Sequence, residues 1–369
     1  MKYYIIAGEA SGDLHASNLM KELHSVDSSA SFRCWGGDLM KAQGAEIIKH
    51  YRDLAFMGFT EVLMNIKTIL ANIEFCKNDI LKYKPDVLIL VDYPGFNLRI
   101  AEFAKKHNIK VYYYISPQIW AWKQSRVHKI KRVVDKMFVI LPFEKEFYKK
   151  FDCEVDFVGH PLLDAVQNYK SEENTLHLKS SLPVIALLPG SRKQEINTML
   201  PLMLTMQQYF PNYQFVIAGA PSQTEEFYKT YLSEKDNVQI VFNKTYQLLQ
   251  VAKAALVTSG TATLETALFG VPEVVCYKGG TISYLIARQL IKVKYISLVN
   301  LIMDKEIVKE LIQAELNESN LKIELEKLLV DSTRNEMLKN YSELTQKLGG
   351  VGASKKAAQL MYSYLTNSN

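Results

Sequence analysis

The stretch MKYYIIAGEASGD (residues 1–13) decides the fold class of this 369-residue chain. A continuous apolar run at Tyr3–Ala7 predicts a buried strand, and the pattern from Asp13 to Leu23 predicts a helix. The turn between them holds two glycines, which allow a ligand to approach the backbone, and Ser11 or Asp13 is predicted to cap the helix. The glycine spacing is not G-x-G-x-x-G, so a dinucleotide site is disfavoured.

The same strand–turn–helix pattern continues along the chain, which is typical of parallel sheets in α/β proteins. Further strands of the first half are predicted at Val87–Val91, Val111–Ile115, Met137–Ile140 and Val155–Val158. The pattern restarts in the second half, with strands predicted at Val184–Leu188, Gln214–Ala218, Val238–Val241, Ala255–Thr258 and Glu273–Tyr277. We therefore expect two Rossmann-like domains that bind ligands beyond the carboxyl ends of their strands.

A polar segment at residues 167–182 separates the two halves and is predicted to be a linker or a poorly packed surface segment. We expect an N-terminal domain at residues 1–166 and a second domain at residues 167–345. A C-terminal helix at residues 346–369 is expected to pack back on the N-terminal domain. After about Asp304 the chain is predicted to be wholly helical.

The composition sets limits on the function. Hydrophobic residues make up 48% and charged residues 22% of the chain, which is ordinary for a globular protein and excludes a disordered one. The net charge of +5 is too mild to indicate a nucleic-acid partner, but it fits anionic small molecules or an anionic membrane surface. The four cysteines lack zinc or redox spacing, and Cys34, Cys76 and Cys276 are predicted to be plain thiols. Because no Walker loop, H-E-x-x-H motif or paired-acid cluster is present, no cofactor and no metal are expected.

Three features of the first half are suited to sugar chemistry. Asp92 follows a predicted strand and is a candidate general base, although an aspartate there can also cap the next helix. Trp120 and Trp122 predict either a wall for a sugar ring or acyl chain, or packing between domains. The basic residues from Lys123 to Lys136 predict either contact with a phosphate or anionic lipid, or a solvated helix face.

Two loops of the second half are suited to a nucleotide diphosphate. Gly190 and Ser191 are expected to offer backbone donors at a helix start, and Arg192 a fork of donors for phosphate. The loop Ser259-Gly260-Thr261-Ala262 precedes another helix, whose N–H groups and dipole favour an anion. Glu265 lies about one turn into that helix and is a candidate for binding ribose hydroxyls. We therefore expect the second domain to hold a nucleotide diphosphate.

At these loops the sequence resembles the lipid-A-disaccharide synthase family, and the resemblance spans nearly the whole chain. The motifs that carry it are GEASGD (8–13), WGGDLM (35–40), MGFTEVL (57–63), DYPGFN (92–97), SPQIWAW (116–122), LPFEKEFY (141–148), GHPLLD (159–164), LPGSR (188–192), SGTATLE (259–265) and SLVNLI (297–302). The resemblance implies an α/β fold of the GT-B type, with two Rossmann-like domains facing across a cleft and a helical C-terminal segment.

The resemblance also implies a reaction. An inverting enzyme would transfer the sugar of UDP-2,3-diacylglucosamine to 2,3-diacylglucosamine 1-phosphate, giving a β-1,6-linked lipid A disaccharide phosphate and UDP. By the same resemblance Asp92 would be the base, Arg192, Thr261 and Glu265 would contact UDP, and Asn300 would complete the site.

The loop after the first strand contributes further candidates. Glu9 is a catalytic candidate and Ser11 an acceptor contact, while it stays open whether Glu9, Asp13 or His160 assists the base. Many family members carry a second acid where this chain has Gly95, and that variation favours Asp92 as the residue that matters.

Membrane contact and assembly follow from the resemblance as well. Family members form dimers with exchanged C-terminal parts and act at the inner face of the cytoplasmic membrane, so we expect a swapped homodimer in the cytoplasm with peripheral contact to anionic membrane. The segment Phe59–Ile73 has one apolar face that is predicted to be core. That face comprises Phe59, Val62, Leu63, Ile66, Ile69, Leu70 and Ile73. Met64 and Phe75 fall on the opposite side and are expected to touch lipid, because both substrates carry acyl chains.

Two other function classes stay open at this point. One is another UDP-sugar enzyme on the same fold, such as a UDP-N-acetylglucosamine 2-epimerase, which would need no acyl-binding surface. The other is a non-catalytic protein that binds lipid or anions through the basic helix and the tryptophans.

Overall fold

A computed structural model describes residues 1–54, 66–170, 176–233, 237–280 and 294–367. Within these ranges the chain forms two compact units. The first unit comprises Met1–Asp164 together with Leu348–Asn369, and the second comprises Ala165–Lys347.

The first unit is built on a parallel sheet with the strand order β3-β2-β1-β4-β5-β6-β7. Its strands are β1 (Lys2–Ala7), β2 (Ser31–Gly36), β3 (Glu46–His50), β4 (Val87–Val91), β5 (Lys110–Tyr114), β6 (Lys136–Val139) and β7 (Asp156–Phe157). Its helices are α1 (Ala10–Val26), α2 (Asp38–Ala42), α3 (Ile66–Tyr83), α4 (Pro94–Lys106), α5 (Ile119–Trp122), α6 (Arg126–Val133), α7 (Pro142–Lys149) and α8 (Leu162–Lys170), the last of which runs on into the second unit. A 3₁₀ turn covers Tyr51–Leu54.

The second unit is built on a parallel sheet with the order β10-β9-β8-β11-β12-β13. Its strands are β8 (Val184–Leu188), β9 (Gln214–Gly219), β10 (Val238–Phe242), β11 (Ala252–Thr258), β12 (Glu273–Tyr277) and β13 (Lys309–Ile312). Its helices are α9 (Lys193–Leu204), α10 (Glu225–Lys229), α11 (Thr245–Val251), α12 (Thr261–Leu268), α13 (Leu298–Met303), α14 (Glu318–Leu328) and α15 (Asp331–Lys347). Short 3₁₀ turns cover Thr205–Gln208 and Gln313–Glu315.

The central strands of both sheets are buried on both faces, as parallel strands covered by helices must be. All five residues of β4 and all five of β8 are buried. Each sheet reverses its strand order once, between β1 and β4 in the first unit and between β8 and β11 in the second. Crevices for ligands form at such reversals, beyond the carboxyl ends of the strands.

All ten predicted strands are present, with small shifts at their ends. Three further strands were not predicted: β2, β3 and β13. The strand β13 shows that the prediction of a wholly helical chain after Asp304 is wrong, since Lys309–Ile312 pairs with β12. The predicted linker is also partly packed, because Leu176 and Leu178 lie half-buried against the core of the second unit.

The last helix, α16 (Ala353–Thr366), belongs to the first unit and packs against α1. The carboxylate of Asp164 accepts hydrogen bonds from the backbone N–H groups of Gly352 at 2.5 Å and Ser354 at 3.0 Å. The N–H of His160 donates to the carbonyl of Leu348 at 3.0 Å. Both ends of the chain therefore complete the same unit.

Candidate active site

Asp92 lies at the strand-order reversal of the first sheet, directly after β4. Because Ala7 pairs with Val91, the loop after β1 and the loop after β4 leave the sheet side by side. The backbone carbonyl of Asp92 accepts hydrogen bonds from the Tyr113 hydroxyl at 2.5 Å and from the Asn97 amide at 2.7 Å. Neither Tyr113 nor Asn97 was singled out from the sequence, although Asn97 closes the DYPGFN motif. Together they hold the backbone carbonyl of Asp92 in place.

The backbone at this loop is unusual. Asp92 and Tyr93 both adopt left-handed conformations, with φ values of 45° and 48°. Such conformations are costly for residues other than glycine and concentrate at functional sites. The turn places the ring of Tyr93 against Gly8, where a Cβ atom would lie 2.4 Å from the ring. Gly8 therefore has to be glycine, because any side chain there would displace Tyr93.

The carboxyl group of Asp92 is poised to exchange a proton near neutral pH. Burial and the negative charge of Glu9 raise the pKa of Asp92 to about 6, while a hydrogen bond from the backbone N–H of Tyr93 acts to lower it. The residue that caps α4 is Tyr93, with no side-chain hydrogen bond, so the alternative that Asp92 caps this helix is wrong. A carboxylate with this pKa is suited to act as a general base.

The other polar residues of the GEASGD motif have different roles. Asp13 is buried, and its carboxylate accepts hydrogen bonds from the N–H groups of Gly37 at 2.7 Å, Leu39 at 3.1 Å and Met40 at 3.1 Å. It thus caps α2, and the prediction that Ser11 or Asp13 caps α1 is wrong, because α1 starts after Glu9 without a side-chain cap. Glu9 and Ser11 are exposed at the start of α1.

The two tryptophans of the SPQIWAW motif are in different environments. Trp120 is half-buried against the core of the first unit, with its ring edge-on to Phe143 at a centroid distance of 4.9 Å. Trp122 is 52% exposed. Only Trp122 is therefore free to form a wall for a ligand.

The second unit holds a pocket of about 410 Å³ at its strand-order reversal. It is lined by all of the residues that the sequence assigned to UDP: Gly190, Ser191, Arg192, Ser259, Gly260, Thr261, Ala262 and Glu265. These residues come from the segments that follow the neighbouring strands β8 and β11, the second of which includes the start of α12. The N–H groups in the first turn of a helix have no partners within the helix, so Thr261 and Ala262 present donors at the start of α12.

The loop after β8 already holds a carboxylate of the chain itself. Glu195 accepts hydrogen bonds from the N–H groups of Ser191 and Arg192, both at 3.2 Å, and its other oxygen lies 3.5 Å from the Arg192 guanidinium. The expectation that Ser191 offers a free backbone donor is therefore wrong for this conformation. Gly190, at a φ of +107°, leaves room for Glu195, since a Cβ there would lie 2.6 Å from its Oε2 atom. The guanidinium of Arg192 remains exposed at the pocket.

Glu265 lies at the pocket wall, and its carboxylate is held by a hydrogen bond from Tyr246. The Tyr246 hydroxyl donates a hydrogen bond to its Oε1 atom at 2.9 Å. Burial raises the pKa of Glu265, and the bond from Tyr246 opposes this. Tyr246 was not identified from the sequence, because nothing in its local pattern distinguishes it from a core tyrosine.

Known proteins are similar to the chain over nearly its whole length. The family model described as Lipid-A-disaccharide synthetase matches residues 3–363 of the chain. The chain belongs to the lipid-A-disaccharide synthase family. The lipid-A-disaccharide synthase of Syntrophus aciditrophicus is 40% identical over 375 residues, covering 99% of this chain and 98% of the relative. That of Trichlorobacter lovleyi is 38% identical over 373 residues, covering 99% and 97%. Membership of this family makes the chain a glycosyltransferase of lipid A biosynthesis.

Solved structures share the fold at low identity. The UDP-GlcNAc 2-epimerase from Neisseria meningitidis, bound to UDP-GlcNAc, has a TM-score of 0.64 at 13% identity over 100% of both chains. The glycosyltransferase of kitacinnamycin has a TM-score of 0.67 at 13% identity, covering 99% of both chains. These likenesses confirm an α/β fold of the GT-B type. Since the family relatives are far more similar in sequence than the epimerases, the lipid-A-disaccharide synthase interpretation takes precedence over the epimerase alternative.

In this member of the lipid-A-disaccharide synthase family, Asn300 is fully buried. Its amide oxygen accepts from the N–H groups of Ile307 at 2.7 Å and Val308 at 3.0 Å, and its amide nitrogen donates to Glu310 at 2.9 Å. Glu310 also accepts from the N–H of Ile296 at 3.0 Å. The carbonyl of Ile296 in turn accepts from the hydroxyl of Ser259 at 3.2 Å. Asn300 thus positions a wall of the pocket through this chain of hydrogen bonds.

The segment that the family resemblance linked to lipid is only partly described, because Phe59, Val62, Leu63 and Met64 lie outside the described residues. In α3, Ile73 is buried and Ile69 packs half-buried against the core. Leu70 is 53% exposed, so its assignment to the core face is wrong. Phe75 is 50% exposed, which makes it available for an apolar contact. None of the described helices is long and apolar enough to span a bilayer.

Proposed function

We propose that the chain transfers the sugar of UDP-2,3-diacylglucosamine to the 6-hydroxyl group of 2,3-diacylglucosamine 1-phosphate. The attacking oxygen bonds to the anomeric carbon from the side opposite UDP, so the configuration inverts. The products are the β-1,6-linked disaccharide phosphate and UDP.

The observation that carries this proposal is the carboxyl group of Asp92, with a pKa of about 6, at the strand-order reversal of the first sheet. In the proposed reaction the Asp92 carboxylate takes the proton that the acceptor hydroxyl loses as its oxygen attacks. Glu9 acts through its charge, because it raises the pKa of Asp92 and so makes the carboxylate a stronger base. Tyr113 and Asn97 act as positioning residues through the Asp92 carbonyl.

Departure of UDP is assigned to the pocket of the second unit. As the bond from the anomeric carbon to the β-phosphate oxygen breaks, negative charge collects on that oxygen. The Arg192 guanidinium and the first N–H groups of α12 supply donors that stabilise this charge. We assign the ribose hydroxyls to Glu265, because Tyr246 uses only one of its two oxygens.

We further propose that the enzyme works at the inner face of the cytoplasmic membrane as a homodimer with exchanged C-terminal parts. Both substrates carry acyl chains, and Phe75 and Met64 are proposed to contact them or the surrounding lipid. Sedimentation with liposomes tests this, with unchanged binding of a Met64→Ser/Phe75→Ser variant as the contrary result.

Mass spectrometry of the products formed from the two acylated glucosamine substrates tests the reaction. We expect the mass of the disaccharide phosphate together with one equivalent of UDP. Release of an epimerised UDP-sugar without acceptor would contradict the proposal.

A further inference from the structure

The basic residues from Lys123 to Lys136 differ in their partners. Lys129 and Arg132 both reach the carboxylate of Glu102, at 2.9 Å and 3.7 Å. Lys131 donates to a backbone carbonyl, and the ammonium of Lys136 lies 3.9 Å from the ring centroid of Tyr364. These four cations are therefore already engaged by partners within the first unit.

Lys123 and Arg126 are different. Among the described residues neither has a carboxylate within ion-pair distance. Both instead lie on one ring: the Lys123 ammonium is 5.1 Å and the Arg126 guanidinium 5.3 Å from the centroid of the Trp122 ring. Cation–π contacts thus hold both positive charges at the ring of Trp122. Like charges repel, and a bound anion would reduce that repulsion.

Lys123 and Arg126 follow β5, a strand of the sheet that carries the proposed base. Trp122 ends α5, which follows β5, and β5 pairs with β4, the strand before Asp92. Because Val91 pairs with Tyr114, the segment that leads from β5 to α5 leaves the sheet beside the loop that carries Asp92. The Tyr113 hydroxyl in turn holds the carbonyl of Asp92 at 2.5 Å. The segment that carries the two cations therefore leaves the sheet at the same end as the loop that carries Asp92.

We propose that Lys123 and Arg126, held on the ring of Trp122, bind the phosphate monoester of the acceptor sugar. This inference rests on the proposed function, since it assigns the anionic group of the same acceptor. A guanidinium offers a fork of donors to phosphate oxygens, and an ammonium adds a point charge. The exposed indole offers an apolar face to the sugar that carries the phosphate. The site thus selects an acceptor that is phosphorylated at its anomeric position.

A phosphate group at this site has a second source, the headgroups of anionic phospholipids. The two sources can be distinguished, because only binding of the acceptor phosphate affects how well the enzyme discriminates between acceptors with and without that phosphate. The test therefore compares substrate discrimination with vesicle binding.

The test variant is Lys123→Gln/Arg126→Gln, and its matched control is Lys129→Gln/Arg132→Gln, which removes the same charge from the same stretch. KM is measured for the acceptor with its 1-phosphate and for the same acceptor without it. We expect the KM of the phosphorylated acceptor to rise at least about tenfold in the test variant, because two charged contacts are lost. The KM of the unphosphorylated acceptor should stay the same, and the control should match the wild type.

Two further measurements separate the possible outcomes. A fall in binding to phosphatidylglycerol vesicles with unchanged discrimination between the two acceptors would assign the cations to lipid headgroups and overturn the proposal. Calorimetric titration with glucosamine 1-phosphate tests the site without turnover, and equal affinity in wild type and test variant would overturn it too. Failure of the wild type to form any disaccharide would instead count against the proposed function.

Discussion

The ring of Tyr93 lies so close to Gly8 that a Cβ atom at Gly8 would stand 2.4 Å from it. This contact joins the loop after β1 to the loop after β4, and the second of these carries Asp92. The two loops can therefore hold their geometry only while one of them has no side chain at this point.

Gly8→Ala is expected to destabilise the protein by about 1–3 kcal/mol, the usual cost of overpacking, and to lower kcat by moving Tyr93 and Asp92. The control is Gly95→Ala, since no atom lies within 4 Å of a Cβ there. That variant should keep its activity and be at least as stable as the wild type, because alanine favours a helix. Thermal unfolding and initial rates measure both effects, and equal behaviour of the two variants would contradict the assigned contact.

The pH dependence of kcat/KM should show an acid limb near pH 6. The pKa of Asp92 is raised to about 6, so the carboxylate that acts as base is present above this pH and is lost below it. Activity should then fall about tenfold per pH unit on the acid side.

Asp92→Asn should reduce kcat strongly and leave UDP affinity nearly unchanged.

Glu9→Gln provides the matching test of the electrostatics. Removal of its negative charge should lower the pKa of Asp92, so the acid limb should move to lower pH. If the acid limb of the kcat/KM profile lies at the same pH in Glu9→Gln and wild type, measured in the same buffers, Glu9 does not influence the base.

Glu195→Gln is expected to increase UDP affinity several-fold. Glu195 accepts hydrogen bonds from the N–H groups of Ser191 and Arg192, and its negative charge lies in the pocket that we propose for UDP. Because Glu195 also completes a capping box at the start of α9, the variant should lose up to about 1 kcal/mol of stability. Titration calorimetry with UDP measures the affinity, with Glu225→Gln on the exposed helix α10 as control. A weaker affinity would mean that Glu195 serves to orient Arg192 instead.

Glu273→Gln should stabilise the protein, and more so at higher pH. Glu273 is fully buried, neither carboxyl oxygen has a hydrogen-bond partner among the described residues, and burial raises its pKa well above the ordinary value. The folded protein therefore keeps a proton that the unfolded chain releases above about pH 4.5, and stability falls as pH rises, by at most about 1.4 kcal/mol per pH unit. Denaturant unfolding between pH 5 and about pH 8 measures this, with the exposed Glu326→Gln as control; parallel pH profiles for wild type and Glu273→Gln would contradict it.

The residues that line the pocket of the second unit could be predicted because their position follows from topology. Ser191 and Thr261 are far apart in sequence, but each follows a buried strand, and parallel strands bring their carboxyl ends to one edge. The occupation of the Ser191 N–H by Glu195 could not be predicted in this way. It depends on the rotamer of one side chain, which the strand–helix pattern does not determine.

The errors in the fold have similar causes. Lys309–Ile312 is a short strand with mixed polar and apolar residues, and only its pairing with β12 makes it a strand. Leu70 shares the helical period of Ile73, but the period gives the direction of a side chain and not what covers it. Both outcomes are decided by tertiary neighbours.

The packing of α16 on α1 has a consequence for biosynthesis. The first unit needs residues from both ends of the chain, so it stays unfinished while the ribosome is still making the second unit. The surface of α1 that α16 covers is then open to solvent or chaperones until the final turns have emerged. A nascent chain that stops early, even just before Ala353, would keep the pocket of the second unit and lose the helix that covers α1 in the unit that carries Asp92.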